Sequence, residues 1–200
     1  MKTIPQLTLA DLKTMKPSPD VLAFAKSCGG DMQKFWDDCP NGAWLLWLLC
    51  KTKSLPDLKA RAIAYAYARK VLPIYERHNP HNPHVRDCLD AVKVFLKSPT
   101  VDNQRLMFNA AMFAHSVYTS YAAAAAAYFA AHERSGVFSA DTAVHMAAAA
   151  VDSFERSQHA CNCDRPNEAR IKLERWGANK VRAIIKLPWR KPHKKRLPKS

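Results

Sequence analysis

A chain of 200 residues with 48% hydrophobic and 24% charged side chains has enough material for one large domain or two small ones, which excludes collagen-like, mostly disordered and disulfide-stapled classes. Five glycines against 13 prolines, with alanine in long blocks, leave little for hairpin turns and favour helices separated by proline breaks, so the expected fold is all-α. The net charge of +14 is uneven: residues 165–200 hold 13 basic and 2 acidic side chains, and the first 164 residues contribute only +3. Such a basic end suits nucleic acid, an anionic surface or an acidic partner, and a solubilising tail has the same composition.

Met1 to Gln6 leads into no apolar run of signal-peptide length, and the apolar run at 43–50 has 8 residues, far short of a membrane span. The expected setting is cytoplasmic, with no membrane partner. The cysteines at 28, 39, 50, 88, 161 and 163 show no framework spacing and read as reduced thiols.

Capping signals divide the chain in order. Ser18-Pro19-Asp20 predicts a short helix that Gly29 closes through a left-handed exit. Asp31 caps a second piece through Trp36. Asn41-Gly42 opens residues 43–50, apolar on all sides and expected to be buried all round, with Trp44 and Trp47 as core residues. Ser54-Leu55-Pro56-Asp57 has capping-box spacing and predicts a helix to about Arg77, bent near Pro73. After a proline-rich turn at 78–84, Asn82-Pro83 caps a helix ending near Lys97. Thr100 caps the longest predicted helix, 101–134, with Gly136 as its stop; Ser139-Ala140-Asp141 starts another to about Ala160, and Arg165-Pro166 starts the last, to about Lys186.

The alanines at 122–127 and 147–150 carry only methyl groups, so two backbones can approach closely, and the short 135–139 connection makes these helices antiparallel neighbours. The expected architecture is therefore a single all-α domain, 1–189, of six to eight helices around a close-packed alanine-rich antiparallel hairpin, with a basic tail at 190–200.

In order, the chain presents Trp36-Asp37-Asp38-Cys39-Pro40-Asn41-Gly42-Ala43-Trp44-Leu45-Leu46-Trp47-Leu48, Arg61 to Leu72 with its Ala-x-Ala-x-Ala-Arg rhythm, Arg86-Asp87-Cys88-Leu89-Asp90-Ala91, the alanine hairpin, and Val181-Arg182-x-Ile184-Ile185-x-x-Pro188-Trp189. Over residues 30–189 this resembles the all-helical immunity-protein family of bacteria and tailed phages, the tryptophan-leucine block being its most specific part. The resemblance implies a non-enzymatic protein, an immunity-type or phage accessory domain that docks to a protein partner. No cofactor is expected, and the resemblance carries over no catalytic residue. A charge of +14 would be repelled by a basic toxin, so an acidic or neutral partner is expected. The extension at 190–200 departs from the family pattern.

Four constellations bear on chemistry. Arg190, Lys191, Lys194, Lys195, Arg196 and Lys199 stand without an acid among prolines, which suits sequence-independent phosphate contacts and equally a solvated tail, while Trp189 is expected to dock on the domain. His78, His81 and His84 have regular spacing, but a proline-rich turn does not converge them; His159-Ala160-Cys161-Asn162-Cys163 lacks paired zinc knuckles, and no metal is expected. Asp141, His145, Asp152, Arg156 and His159 share one helix face, read as a solvated face, a polar partner-binding surface or an acid/base pair. Arg69 falls on a helix that is apolar around most of its circumference, so a buried ion pair with Asp87 or Asp90 is expected. Nothing in these patterns specifies an oligomeric state.

Overall fold

A computed structural model of the chain describes residues 4–118, 122–131, 136–158 and 168–185; among these there are ten α-helices, a 3-10 turn at Ile4–Gln6 and no strand. Helix α1 (Leu9–Thr14) lies ahead of the first sequence-predicted start and opens with a reciprocal box, in which the Asp11 amide donates to Thr8 Oγ1 at 3.1 Å and the Thr8 amide to Asp11 Oδ2 at 2.8 Å. Helix α2 (Pro19–Ser27) is capped by Ser18 and ends where Gly29 and Gly30 take φ of +70° and +77°, letting the Gly30 amide reach the Ala25 carbonyl at 3.1 Å. Asp31 Oδ1 receives the amides of Gln33 and Lys34 at the start of α3 (Met32–Asp38), and Asn41 Oδ1 those of Ala43 and Trp44 at the start of α4 (Gly42–Lys51). A short polar side chain at each start satisfies donors that the helix itself cannot.

Helix α5 (Asp57–His78) starts without a side-chain cap, contrary to the capping box expected at Ser54. The chain turns at Lys53, whose φ is +51°, and the Ser54 hydroxyl donates back to the Thr52 carbonyl at 3.3 Å, so it is not free for the helix. Pro73 sits inside α5 on its exposed side. Helix α6 (His84–Lys97) takes its first cap from Asn82, whose Oδ1 accepts from the His84 amide at 3.1 Å, and Thr100 caps α7 (Val101–Tyr118) by accepting from Asn103 at 3.2 Å.

The expected single helix at 101–134 is instead two helices that pack side by side, α7 and α8 (Ala122–Ala131). Burial is the reason. Ala125, Ala126, Ala127, Ala130 and Ala131 are all buried, because α8 is enclosed by α5, α6, α7 and α9 (Gly136–Gln158), which a straight continuation of α7 could not achieve. Gly136 begins α9 rather than ending its predecessor. The alanine hairpin stands as expected, formed by α8 and α9 with Ala140, Ala143, Ala147 and Ala150 buried in the contact. With α1 added and the long helix divided, ten helices replace the expected six to eight.

Helix α5 is the axis of the fold and packs against α6, α8, α9 and α10 (Glu168–Ile185). Its inner side is Ala60, Ile63, Ala64, Tyr67, Ala68 and Val71, an i, i+3, i+4 pattern in which alanines admit the close neighbours and the larger residues fill between them. A second concentration of mass lies under the amino-terminal helices, where Phe35 and Trp36 are fully buried.

Candidate functional site

Helix α4 does not bury its whole circumference. Leu45, Leu46, Leu48 and Leu49 are buried, but Trp44 and Trp47, one turn apart, are half-buried and form one wall of a groove of about 320 Å³. The rest of its lining includes His145 and Ala148 of α9, Arg170, Leu173 and Glu174 of α10, and Val21 of α2. Phe24 supports Trp44 from below, with ring centroids 6.0 Å apart. The two tryptophans expected as core residues are therefore the lining of a groove, and Trp36 is the tryptophan the core encloses.

The groove's polar edge is one network. Arg170 donates from a terminal nitrogen to Asp152 Oδ2 at 2.8 Å and from Nε to Glu174 Oε1 at 3.1 Å, tying α9 to α10. The Glu174 hydrogen bond, with the Asp152 charge behind it, holds the guanidinium above its usual range and fully cationic. Half of the Arg170 side chain meets solvent, so the bridges add little to stability and mainly fix the direction of the guanidinium.

Behind the tryptophans, Tyr67 of α5 fixes the spacing of three helices. Its ring meets Trp176 of α10 edge-on at 5.5 Å, and its hydroxyl lies where a Cβ on Gly42 or on Gly177 would sit. Only glycine at both positions lets α4, α5 and α10 come this close. Among the described residues the Tyr67 hydroxyl has no hydrogen-bond partner, and burial, ahead of the Glu174 charge, pushes its ionisation upward.

The arginine expected to be buried is not. Arg69 is exposed, as are Asp87 and Asp90, because the apolar side of α5 turns it outward. Among the described residues the buried arginines are Arg61 and Arg182, and both bond to main-chain carbonyls. Arg61 donates to the Ala130 carbonyl at 3.1 Å and lies over the Phe95 ring at 5.8 Å, with the Asp57 carboxylate 3.9 Å away; burial lowers its pKa. Arg182 donates from Nε to the Trp36 carbonyl at 2.8 Å, from a second nitrogen to the Cys39 carbonyl, and from the third to Asn179 Oδ1 at 3.2 Å. A position between buried Val181 and Ile185 was the available signal for Arg182.

Of the polar stripe on α9, His145 lies in the groove wall and Asp152 in the Arg170 network, so the fold brings two of its members to one site. The side chains of Asp141 and Arg156 lie outside the described residues, as do His159, Cys161, Cys163, Trp189 and the tail cations Arg190, Lys191, Lys194, Lys195, Arg196 and Lys199. In the 78–84 turn, His84 stacks on Phe113 of α7 at 5.6 Å, and His78 and His81 are exposed. Among the described residues no three potential ligands come together as a metal site would need, and no helix is long and apolar enough to cross a membrane. Cys28, Cys39, Cys50 and Cys88 are not in disulfides, and burial pushes Cys39 up to about 11 and Cys88 up to about 12.

Comparison with protein-family models, curated proteins and solved structures finds no match for this chain.

Proposed function

We propose that this chain is a non-enzymatic binding protein, an immunity-type or phage accessory domain that holds a segment of a partner protein in the groove between α4, α9 and α10. The observation that carries the reading is the pair Trp44 and Trp47: on a helix otherwise packed by four buried leucines, both indoles are only partly buried and line a groove with Arg170 and His145. Tryptophan and arginine in a partly desolvated concavity are the residue types that dominate protein–protein binding energy. The occupant is a bulky apolar side chain on an acidic or neutral partner. The indoles supply the apolar surface that receives it, the Arg170–Glu174 pair supplies a polar edge, and a net charge of +14 selects its surroundings. The resemblance of the motif order to the immunity-type family is in line with the same class, acting in the cytoplasm of a bacterial or phage-infected cell.

Site-specific photo-crosslinking tests this. A photoreactive phenylalanine analogue replacing Trp47 or Ala148, introduced in the cells that encode the chain, is expected to trap the same discrete protein from both positions. The analogue at Asn109 of α7, which is exposed and outside the groove lining, is expected to trap none. Equal adducts from all three positions, or none from the groove, would remove the groove as the docking site.

A further inference from the structure

We infer that the outer faces of α5 and α10 form one sequence-independent nucleic-acid-binding surface centred on Trp176. The indole carries two cations at once: the Lys70 ammonium of α5 lies 5.6 Å and the Lys180 ammonium of α10 lies 5.8 Å from its centroid. Two like charges brought beside one ring by different helices concentrate positive potential there, which favours an anion.

The charge extends along both helices. On α5, Lys59, Arg69, Lys70 and Arg77 share one outward stripe, with Ala62, Ala66 and Pro73 between them; on α10, Arg175 and Lys180 flank Trp176 on the exposed side. Other cations of these helices are already committed: Arg61 and Arg182 are buried on carbonyls, Arg170 is held by two carboxylates and Lys172 pairs with Glu168. Among the described residues Arg69, Lys70, Arg175 and Lys180 take part in no ion pair.

Lys59 adds a positional clue. Its ammonium donates to the carbonyl of Ile185, the last residue of α10, at 2.8 Å. The chain therefore leaves α10 at one end of the basic stripe, and the sequence that follows from that point is the basic segment ending in Lys199 and Ser200.

Shape decides between classes of polyanion. From Lys59 to Arg77 the stripe spans 18 residue-to-residue steps. At a rise of about 1.5 Å per residue that is about 27 Å, comparable to about eight phosphates along one strand. A surface helix that enters a bilayer interface carries bulky apolar residues beside its cations, whereas small alanines and a proline stand between these. A linear, sugar-phosphate polyanion fits.

The test is fluorescence anisotropy of the full chain with a labelled 20-nucleotide strand and its duplex, from 50 to 200 mM salt. The variant Lys70→Gln/Lys180→Gln is expected to bind duplex at least about tenfold more weakly at 50 mM salt, with the slope of log K against log salt reduced by about 1.8, two contacts at about 0.9 each. Arg69→Gln/Arg175→Gln, which leaves Trp176 and its two ring-contacting lysines in place, is expected to show the same reduction with an unchanged melting temperature. Trp47→Ala, in the groove, is expected to bind nucleic acid normally, which separates this surface from the protein-docking site. Unchanged affinity and slope in both basic-face variants would overturn the inference and leave the contact to the tail, where Lys194→Gln/Lys195→Gln/Arg196→Gln would then abolish it. No binding by the unaltered chain at 50 mM salt, or capture by phosphatidylserine vesicles without capture by oligonucleotide, would also overturn it.

Discussion

The Arg182 guanidinium and the Trp36 carbonyl, 146 positions apart in the chain, meet at 2.8 Å and join the last described helix to the end of α3. A helix ends with carbonyls that have no partner inside it, and its dipole makes that end negative. Arg182 answers both needs, because a second nitrogen takes the Cys39 carbonyl just past the helix. The tie fixes α10 against the amino-terminal helices and so fixes the distance between the groove's α10 wall and α4.

Arg182→Ala is expected to destabilise the fold by about 3 kcal/mol, since it strands two buried carbonyls that a charged donor now satisfies. Arg182→Lys is expected to recover less than half of that, because one ammonium cannot reproduce a fork that spans both carbonyls and Asn179. Urea unfolding of the two variants measures it; a loss below about 1 kcal/mol for the alanine variant would show that water replaces the guanidinium.

The tryptophans are expected to separate by role. Trp36→Ala removes a side chain that is 1% exposed and should cost about 3–5 kcal/mol, whereas Trp47→Ala empties a groove wall and should cost about 1 kcal/mol. Thermal denaturation of both, at equal concentration, gives the comparison. Equal destabilisation would place Trp47 in the core after all.

Gly177→Ala sets two effects of opposite sign against each other. Alanine in a helix interior is favoured over glycine by about 1 kcal/mol, but here its Cβ would overlap the Tyr67 hydroxyl and ring, and overpacking of a rigid core costs about 1–3 kcal/mol or more. Net destabilisation is expected, and a rise in melting temperature would contradict the close approach of α5 and α10. Tyr67→Phe removes the buried hydroxyl and is expected to be neutral or stabilising, since that oxygen has no partner among the described residues.

Alkali is expected to destabilise the protein through its buried thiols. In the unfolded chain they ionise near 9, while in the fold Cys39 is pushed to about 11 and Cys88 to about 12 by burial. Between those limits the folded state holds protons that the unfolded state has released. Stability is thus unaffected by these groups below pH 9 and falls as pH rises above it, by up to about 1.4 kcal/mol per pH unit for each thiol. Unfolding midpoints in urea at pH 7.5 and pH 10 should show the fall, and Cys88→Ala should make it shallower. An identical pH dependence in the variant would exclude Cys88 as a source.

The sequence by itself determined the helical class and most helix starts. Ser18, Asp31, Asn41 and Thr100 act on amides two or three residues away, and such short-range bonds are readable without knowing what lies across the molecule. It also determined the alanine hairpin, because methyl-only faces have few other uses in a folded chain.

Only the tertiary structure decided where the chain divides after Tyr118, which arginines are buried and which side of α4 stays open. Residues 101–134 carry helix-forming side chains almost throughout, and what separates α7 from α8 is the gain from enclosing alanines among four neighbouring helices, a quantity local propensity does not contain. Arg61, Arg69 and Arg182 all sit within apolar stretches. What distinguishes them is whether a carbonyl from another helix stands within reach, and those carbonyls belong to Ala130, Trp36 and Cys39. Trp44 and Trp47 are as apolar as the leucines beside them, yet they line a groove with residues of α9 and α10, because the spacing of α4, α5 and α10 is set by Tyr67 against two glycines and that of α9 and α10 by the Arg170 bridge.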